Sequence, residues 1–207
     1  LGGKPLIYYS IKQSLNCKLI HRTIVSTDNK KIANISRKYG AEVPFLRPKK
    51  ISKSNSKDFS FLKHALEFLK KKENYVPDLI IQLRPTQPYR SLKFIKLCIN
   101  RMIKDNQADS LRTISIPERT PYKMWIKNGK FLKYLFNEKK KLEYFNLDRR
   151  KLPKVYWHDG LVDIIRTKTI SNFKNVTGKK IIYAENKNKF LIDIDDKHDL
   201  NLANLLL

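Results

Sequence analysis

Two carboxylates placed two residues apart, Asp193 and Asp195 in Ile192-Asp193-Ile194-Asp195, are the sharpest chemical signal in this 207-residue chain. Along an extended backbone residues i and i+2 face the same way, so both acids would share one side of a strand end. Like charges held that close repel, and a hard cation between them removes the repulsion. Mg²⁺ suits the position, because it takes one or two carboxylates together with phosphate oxygens and water. The alternative is a strand-end acid followed by a helix whose N-cap is Asp195 or Asp196.

Three other polar sets follow apolar runs. Arg84-Pro85-Thr86-Gln87-Pro88 is a loop stiffened by two prolines, which would present Thr86 and Gln87 as fixed donors and acceptors to a polyhydroxylated ligand, or would be a turn without a ligand. Arg47 before Pro48 could meet a nucleotide or simply be solvated. Arg149 and Arg150 could clamp a carboxylate or phosphate with parallel hydrogen bonds, against a solvated-charge alternative. Tyr156-Trp157-His158-Asp159-Gly160 reads as a pocket wall or as the edge of a packed core. The sequence offers no Ser/His/Asp or Cys/His arrangement and no zinc spacing, and Leu1-Gly2-Gly3-Lys4 is too short for a phosphate loop.

The elements that must position these groups alternate in kind. Ile7, Ile11 and Leu15 recur every four residues and predict a helix over 5–19, with Pro5 in its first turn. Thr23-Ile24-Val25-Ser26 reads as a buried strand, and Asp28 as the cap of a helix whose apolar face is Ile32, Ile35 and Tyr39 and whose stop is Gly40. Residues 42–45 form a second short strand, and Phe61, Leu62, Ala65, Leu66 and Leu69 mark a helix with Asp58 near its start. Residues 78–83 read as a strand buried on both faces, Ile95, Cys98, Ile99 and Met102 as the next helix, and 110–116 as the next strand. Such alternation predicts right-handed βαβ units around a parallel sheet.

Beyond Pro117 the pattern changes. Trp125 to Leu132 carries Asn128-Gly129, a hairpin signal of the type I′ kind, and residues 137–154 are charged and irregular, as in an arm that leaves the globule. Strand character returns over 155–166, 180–183 and 190–194, and a terminal helix over 196–207 would turn Leu200, Ala203, Leu206 and Leu207 inward.

Composition sets the outer bounds. The chain is expected to form one domain with a small protruding subdomain, and these residues contain no apolar run long enough for a membrane span and no n-region and h-region of a secretory signal. Cys17 and Cys98 lie apart in helix-like patterns, which favours reduced thiols and a cytoplasmic setting. A formal charge of +25 permits nucleic-acid binding or attraction of anionic small molecules. The lysines are scattered through a chain also rich in Asn, Ile, Tyr and Phe, so compositional drift accounts for them and nucleic acid is not the favoured partner.

Read in order, these pieces resemble the acylneuraminate cytidylyltransferases, the CMP-sialic acid synthetase family. Gly2-Gly3-Lys4-Pro5-Leu6-Ile7 is similar to its helix start, Val25-Ser26-Thr27-Asp28 to its V-S-T-D, and Phe45-Leu46-Arg47-Pro48 to its F-x-R-P. His64-Ala65-Leu66 is similar to H-A-L, Leu83-Arg84-Pro85-Thr86-Gln87-Pro88 to L-Q-P-T-S-P, and residues 149–153 to R-Q-x-L-P. Asp159-Gly160 stands for an N-G, and Ile192 to Asp195 for I-D-I-D. The resemblance implies a Rossmann-like three-layer α/β sandwich, with a mostly parallel mixed sheet and a dimerisation arm at 117–154. It implies transfer of CMP from CTP to a nine-carbon sugar acid with release of pyrophosphate, for surface glycan biosynthesis. By the same resemblance Asp193 and Asp195 would hold Mg²⁺, and Arg47 and Ser56 would lie near cytosine. Arg84, Thr86, Gln87, Arg149, Tyr156 and Asp159 would face the sugar acid.

The departures are specific. Arg84 and Arg150 replace Gln, Gln87 replaces Ser and Asp159 replaces Asn, so the expected substrate is a sialic acid relative such as a legionaminate or pseudaminate. The family's first strand and triphosphate loop would lie upstream of Leu1, so the chain is expected to be N-terminally truncated. The alternatives to an active transferase are an inactive remnant or a basic nucleic-acid-binding module.

Overall fold

The computed structural model describes residues 1–136, 143–188 and 191–206. The backbone separates into two compact units, Leu1–Thr113 with Gly160–Leu207, and Ile114–Asp159.

In the first unit, α1 (Leu6–Leu15) starts after Pro5, which occupies the N-cap itself at φ −64°, and it ends earlier than the apolar spacing predicts. The stretch 23–26 does not become a strand. It makes one parallel bridge, Ile24 to Glu42, closed by Val25 N donating to Glu42 O at 2.9 Å and Glu42 N to Thr23 O at 2.8 Å. The cap of α2 (Lys30–Lys38) is Asn29 rather than Asp28; its side-chain oxygen accepts from the N–H groups of Lys31 and Ile32. The helix also turns differently from the expected apolar face. Ala33 and Ser36 are buried whereas Ile32 and Ile35 are exposed, because the small side chains allow a close backbone approach that isoleucines would block.

After α3 (Asp58–Glu73) come β1 (Leu79–Gln82), α4 (Leu92–Lys104) and β2 (Ser110–Ser115). They are followed later in the chain by β5 (Trp157–Arg166), α5 (Thr167–Phe173), β6 (Ile181–Glu185) and α6 (Lys197–Asn204). The sheet order is β1-β5-β2-β6. This departs from the mostly parallel expectation: β5 lies between β1 and β2 and runs antiparallel to β1, in a register from Leu79 opposite Arg166 to Gln82 opposite Asp163. A strand reached only after a long excursion takes the central place that βαβ reasoning would give to a sequential neighbour. For the same reason β1 is half-buried, and the near-continuous burial expected of it belongs to β5.

The expected helical face of α4 is the core. Ile95, Cys98, Ile99 and Met102 are at most 1% exposed and pack with Leu111, Leu161, Val162, Ile164 and Ala184. Each such aliphatic side chain contributes about 1.5–3 kcal/mol by leaving water. Cys17 and Cys98 are both buried.

The C-terminal segment differs from the predicted strand over 190–194. Phe190 lies outside the described residues, and 191–195 are extended without a ladder. The Ile194 N–H goes instead to the carbonyl of Thr86, at 2.9 Å. The helix after it is capped by Asp196 in a reciprocal capping box with Asp199. Ala203 is buried and Leu200 packs beside it, but Leu206 is 47% exposed, and Leu207 lies outside the described residues.

The second unit contains the 117–154 stretch, of which 137–142 fall outside the described residues. Its hairpin joins β3 (Trp125–Asn128) to β4 (Phe131–Tyr134), with Asn128 opposite Phe131. The two-residue turn is therefore Gly129-Lys130, not Asn128-Gly129. Gly129 alone takes a positive φ, +60°, as in a type II′ turn rather than type I′. Trp125, Tyr134 and Phe145 meet with ring centroids 4.7–5.6 Å apart, and Tyr122 stacks with Phe136 and Tyr144.

Candidate functional site

The segment 192–195 keeps the period of a strand without its pairing. Ile192 and Ile194 pack inward with Leu1, Leu6, Tyr9, Tyr89, Leu200 and Ala203. Asp193 and Asp195 are thereby turned out to solvent on either side of Ile194. The capping duty falls to Asp196, whose carboxylate accepts from the N–H groups of His198 at 2.7 Å and Asp199 at 3.0 Å. Asp199 in turn receives the N–H groups of Asp195 and Asp196. Donation from the Asp199 N–H above all, with that of His198, holds the Asp196 carboxyl below its ordinary range. Among the described residues the carboxylates of Asp193 and Asp195 make no hydrogen bond or ion pair, so their lone pairs face solvent. No group of three or more His, Cys, Asp or Glu side chains among those residues is arranged to hold a metal ion by itself. Two exposed carboxylates with no capping role fit Mg²⁺ that shares its shell with phosphate and water.

The Ile194–Thr86 hydrogen bond brings this acidic pair to the loop at 84–88. That loop is fixed from beneath by Arg90, which is only 6% exposed. Its guanidinium donates to Leu161 O and Arg84 O, to Ser10 Oγ at 3.2 Å and to Gln13 Oε1 at 3.0 Å. Gln13 Nε2 donates to Pro88 O at 2.6 Å and Arg90 O at 3.2 Å, and Ser10 Oγ to Arg84 O at 3.3 Å. Polar side chains of α1 thus supply donors to a loop whose prolines cannot. Gln87, expected to be offered to a ligand, is 1% exposed and lies in the loop's interior; Thr86 is half-buried.

Arg84 is held at its side chain as well. Its Nη2 lies 3.0 Å from Asp58 Oδ2 and 3.2 Å from Asp163 Oδ2. Asp163 also pairs with Arg112 at 2.7 Å, and Gln82 Nε2 donates to Asp58 at 3.0 Å. Burial alone would lower the Arg84 guanidinium, but Asp58 and then Asp163 outweigh it and hold it above its ordinary value. Gly160, at φ +68°, lies beside the Arg84 side chain.

Arg47 lies with its guanidinium 4.7 Å above the Phe61 ring and donates to Ser26 Oγ at 3.1 Å and to Ser26 O. Burial pulls it below its ordinary value, against the opposing charges of Asp28 and Asp58. Ser56 Oγ accepts from Lys53 N at 3.0 Å, closing the turn that precedes α3.

The remaining expected residues belong to the second unit. Arg149 donates to the carbonyls of Pro117 at 3.2 Å and Glu118 at 2.7 Å, so part of its fork is engaged with backbone. Arg150 pairs with Asp148 at 2.8 Å. Asp159 is 2% exposed and accepts from Ser115 Oγ at 2.6 Å, while Tyr156 is exposed.

Sequence reasoning missed Asp163, Arg112, Gln82, Arg90, Gln13 and Ser10 as parts of this arrangement. One signal was available: Asp163 interrupts the apolar run 161–165, and an acid inside a buried strand must have a partner.

A cytidylyltransferase family model matches residues 1–205. A pseudaminic acid cytidylyltransferase of Campylobacter jejuni is 27% identical over 210 residues, spanning 99% of this chain and 85% of that protein. An N-acylneuraminate cytidylyltransferase of Escherichia coli is 27% identical over 208 residues, spanning 98% of this chain and 46% of that protein. Among solved structures, the CMP:2-keto-3-deoxy-manno-octonic acid synthetase complexed with CTP superposes with a TM-score of 0.66 at 11% identity, covering 99% of this chain and 88% of that one. That likeness bears out the Rossmann-like α/β fold.

Proposed function

Because this chain belongs to the cytidylyltransferase family, we propose that it transfers CMP from CTP to a nine-carbon 2-keto sugar acid of the pseudaminate or legionaminate type, for surface glycan biosynthesis. The observation that carries this is the hydrogen bond from Ile194 N to Thr86 O, which joins a pair of unengaged carboxylates to the stiff polar loop. The sugar's anomeric hydroxyl attacks the α-phosphorus of CTP, the new O–P bond forms, pyrophosphate leaves with the old one, and the hydroxyl proton passes to solvent. Such a displacement needs positioning and charge neutralisation more than covalent help from the protein. Asp193 and Asp195 would hold Mg²⁺, and the ion would supply Lewis-acid charge to the triphosphate. Arg47, stacked on Phe61, and Ser56 are assigned to the cytidine end, and Arg84 and Thr86 to the sugar acid.

The substrate assignment draws on the pseudaminic acid relative and on Arg84, a cation where the sialate enzymes' motif has an amide. A homodimer formed through the second unit is in keeping with its exposed Phe131 and Leu132, at 67% and 63%. A cytoplasmic setting is in keeping with the burial of both cysteines, and no helix among the described residues is long and apolar enough to cross a membrane.

The test is pyrophosphate release from CTP, with Mg²⁺ and a panel of nonulosonic acids. Asp193→Ala should lower turnover by about 10²-fold or more while leaving the melting temperature within about 1–2 °C, since the side chain is exposed and has no partner among the described residues. Equal use of ATP and CTP would refute the cytidine assignment, and wild-type activity in the alanine variant would refute the metal assignment.

A further inference from the structure

The first turn of α3 touches both arginines that the proposed reaction assigns to different substrates. Phe61 lies under the Arg47 guanidinium at 4.7 Å, and Asp58, one turn earlier on the same helix, receives Arg84 Nη2 at 3.0 Å. Asp58 also accepts Gln82 Nε2 at 3.0 Å, so its carboxylate joins α3 to the end of β1 and to the residue that opens the 84–88 loop. From Arg84 the chain of charges continues to Asp163 on β5 and Arg112 on β2, giving two anions and two cations in alternation. The backbone of Arg84 is fixed independently, its carbonyl accepting from Arg90, Ser10 and the Gln87 N–H.

We propose that Asp58 is a positioning residue for the sugar-acid site, holding the Arg84 guanidinium at a fixed direction and tying that direction to the helix turn that also supports Arg47. The inference presupposes the transferase activity proposed above. The two Arg84 contacts differ in kind. Asp163 is 1% exposed within a strand, whereas the Asp58 side chain is 30% exposed at a helix start. Asp58 is therefore the contact that can be altered without opening the core. Without it, Arg84 keeps its charge and its Asp163 partner but loses one of two restraints. The consequence belongs in substrate binding rather than in the bond-making step.

The test is a double-variant cycle in the full chain, read as pyrophosphate release. Asp58→Asn should raise the KM for the sugar acid by about tenfold with kcat changed less than about threefold. Asp58→Glu should recover most of the loss, because it restores the charge. In an Arg84→Gln background, Asp58→Asn should change that KM by less than about twofold, since the group through which it acts is gone. Additive effects of the two substitutions, an unchanged sugar-acid KM, or a Glu variant as impaired as Asn would each overturn the inference while leaving the transferase standing. A wild-type protein that releases no pyrophosphate from CTP with any nonulosonic acid would overturn the transferase, and the positioning role with it.

Discussion

Arg90 is the residue on which the loop depends. A guanidinium is always charged, so placing one at 6% exposure requires acceptors all round, and here they are the Leu161 and Arg84 carbonyls, a hydroxyl and an amide oxygen. Arg90→Met keeps most of the volume but removes the hydrogen bonds that the guanidinium gives to those four acceptors. It should cost about 2–4 kcal/mol, seen as a lower denaturant midpoint, and should raise the sugar-acid KM as the loop loosens. Asp193 and Asp195 stand at the opposite extreme, exposed and with no side-chain partner among the described residues, and substitutions there should be silent in stability. The sequence makes that pair legible because Ile-Asp-Ile-Asp carries its own geometry: alternate apolar anchors turn alternate acids outward whether or not a neighbouring strand pairs with them. The partner of Arg84 is not legible in that way. Asp58 lies 26 residues upstream and Asp163 79 residues downstream, and no local period links them.

At the scale of elements, sequence reasoning succeeds where a helix or strand is decided by its own residues. The buried face of α4 and the length of β5 follow from apolar spacing alone. It fails where a neighbour decides. The 23–26 stretch has strand residues but finds only the Ile24–Glu42 bridge, and α2 buries Ala33 and Ser36 because fit to the adjoining surface outweighs hydrophobicity. The turn of the hairpin is displaced by one residue because strand register, not the Asn-Gly pair, sets which residues are central. Within β5, Gly160 takes φ +68° beside Arg84, and an added Cβ would meet Arg84 only at 3.5 Å, an ordinary contact. Gly160→Ala should therefore destabilise through backbone conformation alone, by about 1–2 kcal/mol in a urea titration. It should raise the KM for the sugar acid more than that for CTP.

The whole molecule carries a formal charge of +25, and every reactant in the proposed transfer is an anion. A field of that sign draws CTP and sugar acid toward the surface, and mobile ions screen it over about 8–10 Å at physiological salt. Raising sodium chloride from about 20 to about 300 mM should lower kcat/KM for CTP by roughly tenfold while leaving kcat nearly unchanged. A flat response would mean that the lysines do not assist capture.

The strand order also constrains how the chain reaches this state. In the order β1-β5-β2-β6, the slot between β1 and β2 is filled by a strand that begins only at Trp157. During synthesis β1 and β2 therefore leave the ribosome with facing edges unsatisfied, and no pairing between them can be native. Closure waits for a segment whose register places Leu79 opposite Arg166, a separation that makes folding slow and the waiting edges prone to adhere to other nascent chains.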